Sequence, residues 1–171
     1  MDFSMSEKMQ TIVGMIRDFM KKEVYPIEPE FQHAGFKQLE PLLNAKRAKV
    51  KQMGLWAPQM PEEYGGMGLT MMEHAIVSEA LGGSPLGHYI FGCQAPDAGN
   101  MEILHKYGTD AQKKEYLEPL VRGDIRSCFS MTEPEVAGSD PTLLRTRAVR
   151  DGDDWVINGR KWFSSSAEGA G

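Results

Sequence analysis

The sequence predicts an α+β protein: an all-helical domain over residues 1–124, then the first strands of an incomplete antiparallel β-barrel-like domain over 125–171. Three observations carry this. Up to Gly123, apolar residues recur at helical intervals between capping residues. Beyond it the runs are short, extended and rich in β-branched or aromatic side chains. Finally, Asp151-Gly152 and Asn158-Gly159 are hairpin signals, because such pairs tolerate the positive φ that tight turns need. A block of helices followed by a block of strands means two domains or an α+β arrangement.

Each element has a local reason. Ser4 and Glu7 have capping-box spacing, and Met9, Ile12, Val13, Ile16, Phe19 and Met20 share a face, so a first helix spans about Ser6 to Glu23. Pro26 and Pro29 end it, since proline lacks the amide proton and clashes with the preceding turn. A second amphipathic run from Leu39 through Leu42, Leu43, Val50 and Met53 stops at Gly54. Pro58 to Gly68, punctuated by proline and glycine, reads as an ordered loop. Thr70 and Glu73 open a third helix that Gly82 and Gly83 close; Asp97 to Tyr107 forms a shorter one; Thr109 and Gln112 cap the last. The extended runs are Arg126–Thr132, Leu143–Arg150, Trp155–Ile157 and Lys161–Ser164. They leave an edge strand unpaired and reach Ala170-Gly171 without a terminal helix, so the chain is expected to stop inside its β-domain.

Composition excludes several classes of function. With 41% hydrophobic and 25% charged residues the chain has no bias toward disorder, and its formal net charge of -5 argues against nucleic acid as a partner. The basic cluster Lys46, Arg47, Lys49, Lys51 reads as a solvated helix face. Cys93 and Cys128 lack metal-ligand spacing, and their apolar neighbours Phe91, Phe129 and Met131 suggest buried thiols rather than a disulfide framework. His33, His74, His88 and His105 have no metal or triad spacing, so no metal site is expected. The segment Met1 to Gln10 lacks the apolar centre of a signal peptide and no run is long enough to cross a bilayer, which leaves the cytoplasm as the expected compartment.

Chemistry concentrates in Cys128-Phe-Ser-Met-Thr-Glu-Pro-Glu-Val-Ala-Gly-Ser-Asp140, where an apolar run enters a small-residue loop. Small residues let a ligand approach the backbone, and Thr132, Gly138 and Ser139 can supply donors to a phosphate or a heteroaromatic ring. A strand followed by an ordinary turn satisfies the same pattern. Glu133 and Asp140 could form a carboxylate pair, but in a turn motif capping and backbone hydrogen bonds are the simpler use.

The T-E-P and A-G-S-D segments, followed by a hairpin through I-N-G-x-K-W, resemble the middle β-domain of the acyl-CoA dehydrogenase family. Pro61-Glu-Glu-Tyr-Gly-Gly-Met-Gly68 and Gln112-Lys-Lys-Glu-Tyr-Leu-Glu-Pro119 resemble that family's N-terminal helical domain, in the same order. Ala95-Pro-Asp-Ala-Gly-Asn-Met-Glu-Ile-Leu-His105 is further similar to the branch typified by the animal family members ten and eleven.

The resemblance implies FAD as cofactor. Thr132 matches a threonine whose hydroxyl and amide hydrogen-bond the flavin pyrimidine edge, and Met131 the adjacent residue whose backbone faces the ring. Ser139 matches a serine on the FAD pyrophosphate. Phe163 stands where the family usually has a tryptophan packed on flavin, with Trp162 just before it, and Ser165 where it has a threonine near flavin N5. Glu135-Val136 adds one residue to the loop between T-E-P and A-G-S-D, and Ser164-Ser165-Ser166 replaces the usual I-T-N. Gln94 to Asp97 is implied to approach the acyl cavity, although a helix N-terminus is the simpler explanation of Asp97.

The implied reaction is α,β-dehydrogenation of a fatty acyl-CoA thioester: a glutamate removes the α-proton while the β-hydride moves to flavin, with an electron-transfer flavoprotein as electron partner and a homodimer or homotetramer as the assembly. By the same resemblance the catalytic base belongs to a C-terminal helical domain, so no residue here is assigned to catalysis. Two other readings share the pattern: a naturally short, non-enzymatic acyl-binding or interaction module, and an acyl-CoA oxidase, which uses oxygen.

Overall fold

The computed structural model describes residues 4–170; Met1 to Phe3, part of the polar N-terminal segment, and Gly171 at the other end lie outside the described residues. The chain divides after Asp124 into a helical unit and a smaller unit from Ile125.

In the helical unit α1 (Glu7–Phe19) buries Met9, Val13, Ile16 and Phe19 along one stripe. Its N-cap is Ser6 rather than Ser4: Ser6 Oγ accepts from the Met9 amide at 3.3 Å. The expected stop at Pro26 is instead a change of pitch. The chain widens into a π-helical turn over Met20–Val24, tightens into a 3-10 turn over Tyr25–Ile27, and enters α2 (Glu28–Ala34) with Pro29 in its first turn. A proline there loses no intrahelical bond, because first-turn amides have no partner inside the helix. Gly35, at φ 77°, separates α2 from α3 (Phe36–Gln52), which starts before the first apolar residue of its sequence pattern.

The two capping boxes form as their spacing predicts. Thr70 and Glu73 exchange hydrogen bonds at the start of α4 (Met71–Leu81), which holds the Glu73 carboxyl below its usual range through the Thr70 amide and hydroxyl. A short α5 (Gly87–Ile90) and then α6 (Asp97–Tyr107) follow. Thr109 and Gln112 cap α7 (Asp110–Gln112), which continues through a π-helical turn over Lys113–Leu117 into α8 (Glu118–Arg122). α1 packs against α4, α3 against α5, and α6 against α8 and its π turn. Phe19 meets Phe91 edge to face at 5.5 Å, and Met20, Leu43, Leu81, Ile90 and Leu117 fill the space between the helices.

The basic cluster on α3 is only partly a solvated face: Lys49 and Lys51 are exposed, whereas Lys46 is half-buried and Arg47 buried. Arg47 is 6% exposed, with its guanidinium 5.0 Å from the Trp56 ring centroid and 4.5 Å from that of Tyr89. Lys46 and Lys49 both bind Glu23, at 2.5 and 2.8 Å, and depress its carboxyl, Lys46 foremost. Lys51 donates to the Arg122 carbonyl and lies 4.6 Å over Trp56, where burial lowers its affinity for a proton. A planar guanidinium is weakly hydrated and stacks on rings, so an apolar environment accepts it where sequence composition predicts only solvation.

Gly123 closes this cluster. It ends α8 at φ 71°, and a Cβ placed on it would lie 2.3 Å from Arg47 Nη2 and 2.9 Å from Trp56 Cζ2. Gly123→Ala is therefore expected to destabilise the helical unit by about 2–3 kcal/mol, since it combines an unfavourable φ with overpacking against a fixed ring. Thermal unfolding followed by circular dichroism checks this.

In the smaller unit, β1 (Arg147–Asp151) and β2 (Asp154–Asn158) form an antiparallel hairpin in which Val149 faces Val156 and Asp151 faces Asp154. Its loop is Gly152-Asp153, with Gly152 at φ 61°; glycine at the first central position is the type II′ arrangement. The second hairpin signal marks something else. Gly159 takes no positive φ; a Cβ there would lie 2.1 Å from Thr146 Oγ1, so its role is a close approach between segments. The extended runs 126–132 and 161–164 are not strands of the described sheet, which contains only β1 and β2. They lie beside one another through a single backbone bond, Trp162 N–H to Thr132 C=O at 3.1 Å, and the Ser130–Ser164 hydroxyl pair at 2.7 Å.

Among the described residues no helix is long and apolar enough to cross a membrane, and no group of histidine, cysteine or acidic residues has the geometry to hold a metal ion. Cys93 is buried, which pushes its thiol up to about 12 and leaves it protonated and unreactive. Cys128 is only half-buried, unlike the sequence expectation, because it lies on one of the two extended runs rather than in the helical core. Neither cysteine is disulfide-bonded.

Candidate functional site

The T-E-P segment is organised by Glu133. Its carboxylate, 2% exposed, accepts the Arg145 amide at 2.7 Å, the Thr146 amide at 2.8 Å and the Lys161 ammonium at 3.0 Å. Thr146, Arg145 and Lys161 together hold the carboxyl down to about 2; the Thr146 side chain leads, although its Oγ1 makes no hydrogen bond of ordinary geometry. Glu133 is thus a buried anchor between the loop and the hairpin, and Asp140 caps its own turn by accepting from the Thr142 hydroxyl and amide. The two carboxylates serve the backbone and do not make an acid-base pair.

Around this anchor lie the residues singled out in the sequence. The Met131 carbonyl accepts from Lys161 Nζ at 2.8 Å, and the Met131 side chain is exposed. Thr132 is half-buried; its carbonyl takes the Trp162 amide, whereas neither its own amide nor its hydroxyl has a hydrogen-bond partner among the described residues. The loop folds back so that a Cβ on Gly138 would touch Thr132 Cγ2 at 3.8 Å, which brings Ser139, exposed, into the same neighbourhood. The extra residue at Glu135-Val136 is absorbed in a turn and bend, and Glu135 pairs with Arg160 at 3.5 Å.

Trp162 and Phe163 stand side by side with ring centroids 4.6 Å apart, 45% and 75% exposed. Phe163 sits at φ 53°, a conformation a bulky side chain rarely adopts, and the Ser165 amide donates back to its carbonyl at 2.8 Å. Lys161 is the residue sequence reasoning missed. It stands in the I-N-G-x-K-W segment beside Arg160 and ahead of an aromatic pair, and what gives it meaning is the segment it crosses to.

The helical unit offers less. Gln94 Nε2 donates to the Asp97 carboxylate at the start of α6, where Asp97 is buried. A surface cleft of about 310 Å³ is lined by Lys51, Trp56, Tyr64, Val121, Arg122 and Asp124, but Lys51 is engaged by the Arg122 carbonyl and Arg122 by Asp124. Three of the four histidines serve structure: His33 bonds the Pro29 carbonyl, His88 the Ser78 hydroxyl, and His105 packs on Tyr64.

Comparison with known proteins agrees with this geometry. The model of the acyl-CoA dehydrogenase N-terminal domain matches residues 6–124, and that of the acyl-CoA dehydrogenase middle domain matches residues 128–171. Acyl-CoA dehydrogenase family member 11 of Gallus gallus is 42% identical over 173 residues, covering 96% of this chain and 22% of the relative. Family member 10 of Mus musculus is 41% identical over 170 residues, covering 94% of this chain and 16% of the relative. A protein of known structure from Mycobacterium abscessus superimposes with a TM-score of 0.86 at 40% identity, covering 94% of this chain and 43% of that one. The chain therefore spans about a fifth of the two animal relatives and less than half of the mycobacterial one. With both domain models matched in order, it belongs to the acyl-CoA dehydrogenase family, in the branch of members ten and eleven.

Proposed function

We propose that this chain is the N-terminal, flavin-facing part of an FAD-dependent acyl-CoA dehydrogenase that α,β-dehydrogenates a fatty acyl-CoA thioester. The observation that carries the reading is Thr132: both of its donors lack partners among the described residues, on a backbone held from the opposite side, beside two uncovered aromatic rings. A half-buried pair of donors without acceptors fits a ligand that brings the acceptors.

The residues present fit FAD on that ground. Thr132 N–H and Oγ1 would donate to the pyrimidine edge, with the Met131 backbone alongside. Ser139 would meet the pyrophosphate, Phe163 or Trp162 would cover the ring and exclude water, and Ser165 would lie near N5. When bound, FAD supplies the hydride acceptor for the acyl β-carbon. The helical domain, residues 1–124, would wall the acyl cavity around Gln94 to Asp97, and the β-domain from 125 would carry the cofactor contacts. The proton on the α-carbon is assigned to no residue of this chain. An electron-transfer flavoprotein, a homodimer or homotetramer, and a cytoplasmic location belong to the same proposal.

FAD titration of the isolated 171-residue chain tests it. Weak but saturable binding without dehydrogenase activity is expected, and Thr132→Val should weaken it about tenfold, the equivalent of one lost hydrogen bond. Stoichiometric flavin in the purified chain would overturn the weak-binding expectation. No saturable binding at millimolar FAD would overturn the cofactor assignment.

A further inference from the structure

We infer that Lys161 is a positioning residue for the cofactor: it orients and polarises the Met131–Thr132 peptide, so that the Thr132 N–H is presented as a strengthened donor to the pyrimidine edge of FAD. This deepens the reading above and rests on it.

The Met131 carbonyl and the Thr132 N–H are the two ends of one trans peptide unit, since the described cis bond lies elsewhere, at Ala95-Pro96. Lys161 Nζ holds the carbonyl end at 2.8 Å, so the N–H end must point to the opposite side. An ammonium on the oxygen draws electron density toward it and makes the N–H a better donor, as successive hydrogen bonds through one peptide reinforce each other. The next residue, Trp162, takes the following carbonyl, that of Thr132, at 3.1 Å. Two consecutive residues of one segment thus fix both peptides flanking the Thr132 α-carbon and use neither of its donors.

The ammonium is also well kept for this purpose. Lys161 is 22% exposed, and its counter-charge, Glu133, is 2% exposed and held by two backbone amides. The pair is therefore shielded from the solvent that weakens surface ion pairs. A lysine that served only to neutralise Glu133 would need no contact with the Met131 carbonyl. The contact turns a structural ion pair into a device that acts on the next peptide.

The test compares the ¹⁵N-labelled wild-type chain with K161Q, K161R and R160Q, reading the Thr132 amide signal without flavin and the FAD dissociation constant. K161Q is expected to shift the Thr132 amide and to weaken FAD binding about tenfold, the scale of one charge-assisted hydrogen bond. K161R, which keeps the charge, should recover most of both. R160Q removes only the exposed pair with Glu135 and should change neither. A wild-type chain that binds FAD while K161Q leaves the amide and the affinity unmoved overturns this inference alone. If K161Q does not fold, K161R decides: affinity within about threefold of wild type supports the inference, and a loss of tenfold or more overturns it. A wild-type chain that takes up no FAD overturns the cofactor assignment, and this inference with it.

Discussion

Trp56→Ala is expected to be the most damaging single change in the helical unit, lowering its stability by about 4 kcal/mol. Trp56 is 6% exposed, and its ring is the surface on which several otherwise unrelated groups meet. Arg47 stacks on it at 5.0 Å, Lys51 lies over it at 4.6 Å, and its Nε1 donates to the Val121 carbonyl at 2.6 Å. Truncation leaves a cavity the size of an indole, returns the Val121 carbonyl to an unpaired state, and exposes a buried guanidinium whose remaining partners are Tyr89 and a long 3.5 Å contact to the Gly123 carbonyl. Trp56→Phe separates these effects. It retains a ring for both cations and loses the N–H, so a cost of about 1–2 kcal/mol is expected. Equal losses in the two variants, measured by urea unfolding of the chain, would mean that the hydrogen bond and not the stacked ring sustains the cluster.

That cluster also marks how far the sequence was legible. Capping boxes at Thr70–Glu73 and Thr109–Gln112 were readable because donor and acceptor are three residues apart and both groups are local. The fate of Arg47 was not, since it is decided by Trp56, beyond the end of its helix, and by Tyr89, far from it in the chain, and a charged residue among lysines carries no local sign of burial. α2 was lost for a related reason: Pro26, in the turn before it, and Pro29, in its first turn, read as terminators, and only the pitch changes over Met20–Val24 and Tyr25–Ile27 make room for them.

The candidate site divides in the same way. Thr132 and its neighbours stand in a motif and could be named from it. The lattice that holds them could not: Glu133, Lys161 and the amides of Arg145 and Thr146 are drawn from three separate segments. The runs 126–132 and 161–164 have strand-like composition but share one backbone bond, because side-chain bridges such as Ser130–Ser164 and Lys161–Met131 take the place of a ladder. Periodicity cannot distinguish such a pairing from a strand pair, as both alternate side chains in the same way.

Acid should dismantle this lattice before it affects the helical unit. The Glu133 carboxyl titrates near 4.5 when unfolded and is held down to about 2 when folded. A depressed folded value means that the unfolded chain binds the proton more readily, so the contribution of Glu133 is fully present above 4.5 and is lost as pH falls toward 2. Asp140, held low by the Thr142 hydroxyl and amide, acts in the same direction. Once protonated, Glu133 can no longer pair with Lys161, and it becomes a weaker acceptor for the Arg145 and Thr146 amides. Those two amides are the place to look: their hydrogen-exchange protection, corrected for the intrinsic pH dependence of exchange, should fall by about tenfold or more across that window, the scale set by one charged hydrogen bond. Amides in the middle of α1 and α4 should keep theirs, since among the described residues of that unit the lowered carboxyls, Glu23 and the capping Glu73, are not held as low as Glu133. Glu133→Gln keeps the shape and removes the titration, so it should show low protection of both amides already at neutral pH and little further change on acidification. A wild-type profile that stays flat from pH 5 to 2, or a Glu133→Gln profile that still falls there, would place the acid-sensitive group elsewhere and leave Glu133 a neutral spacer in the loop.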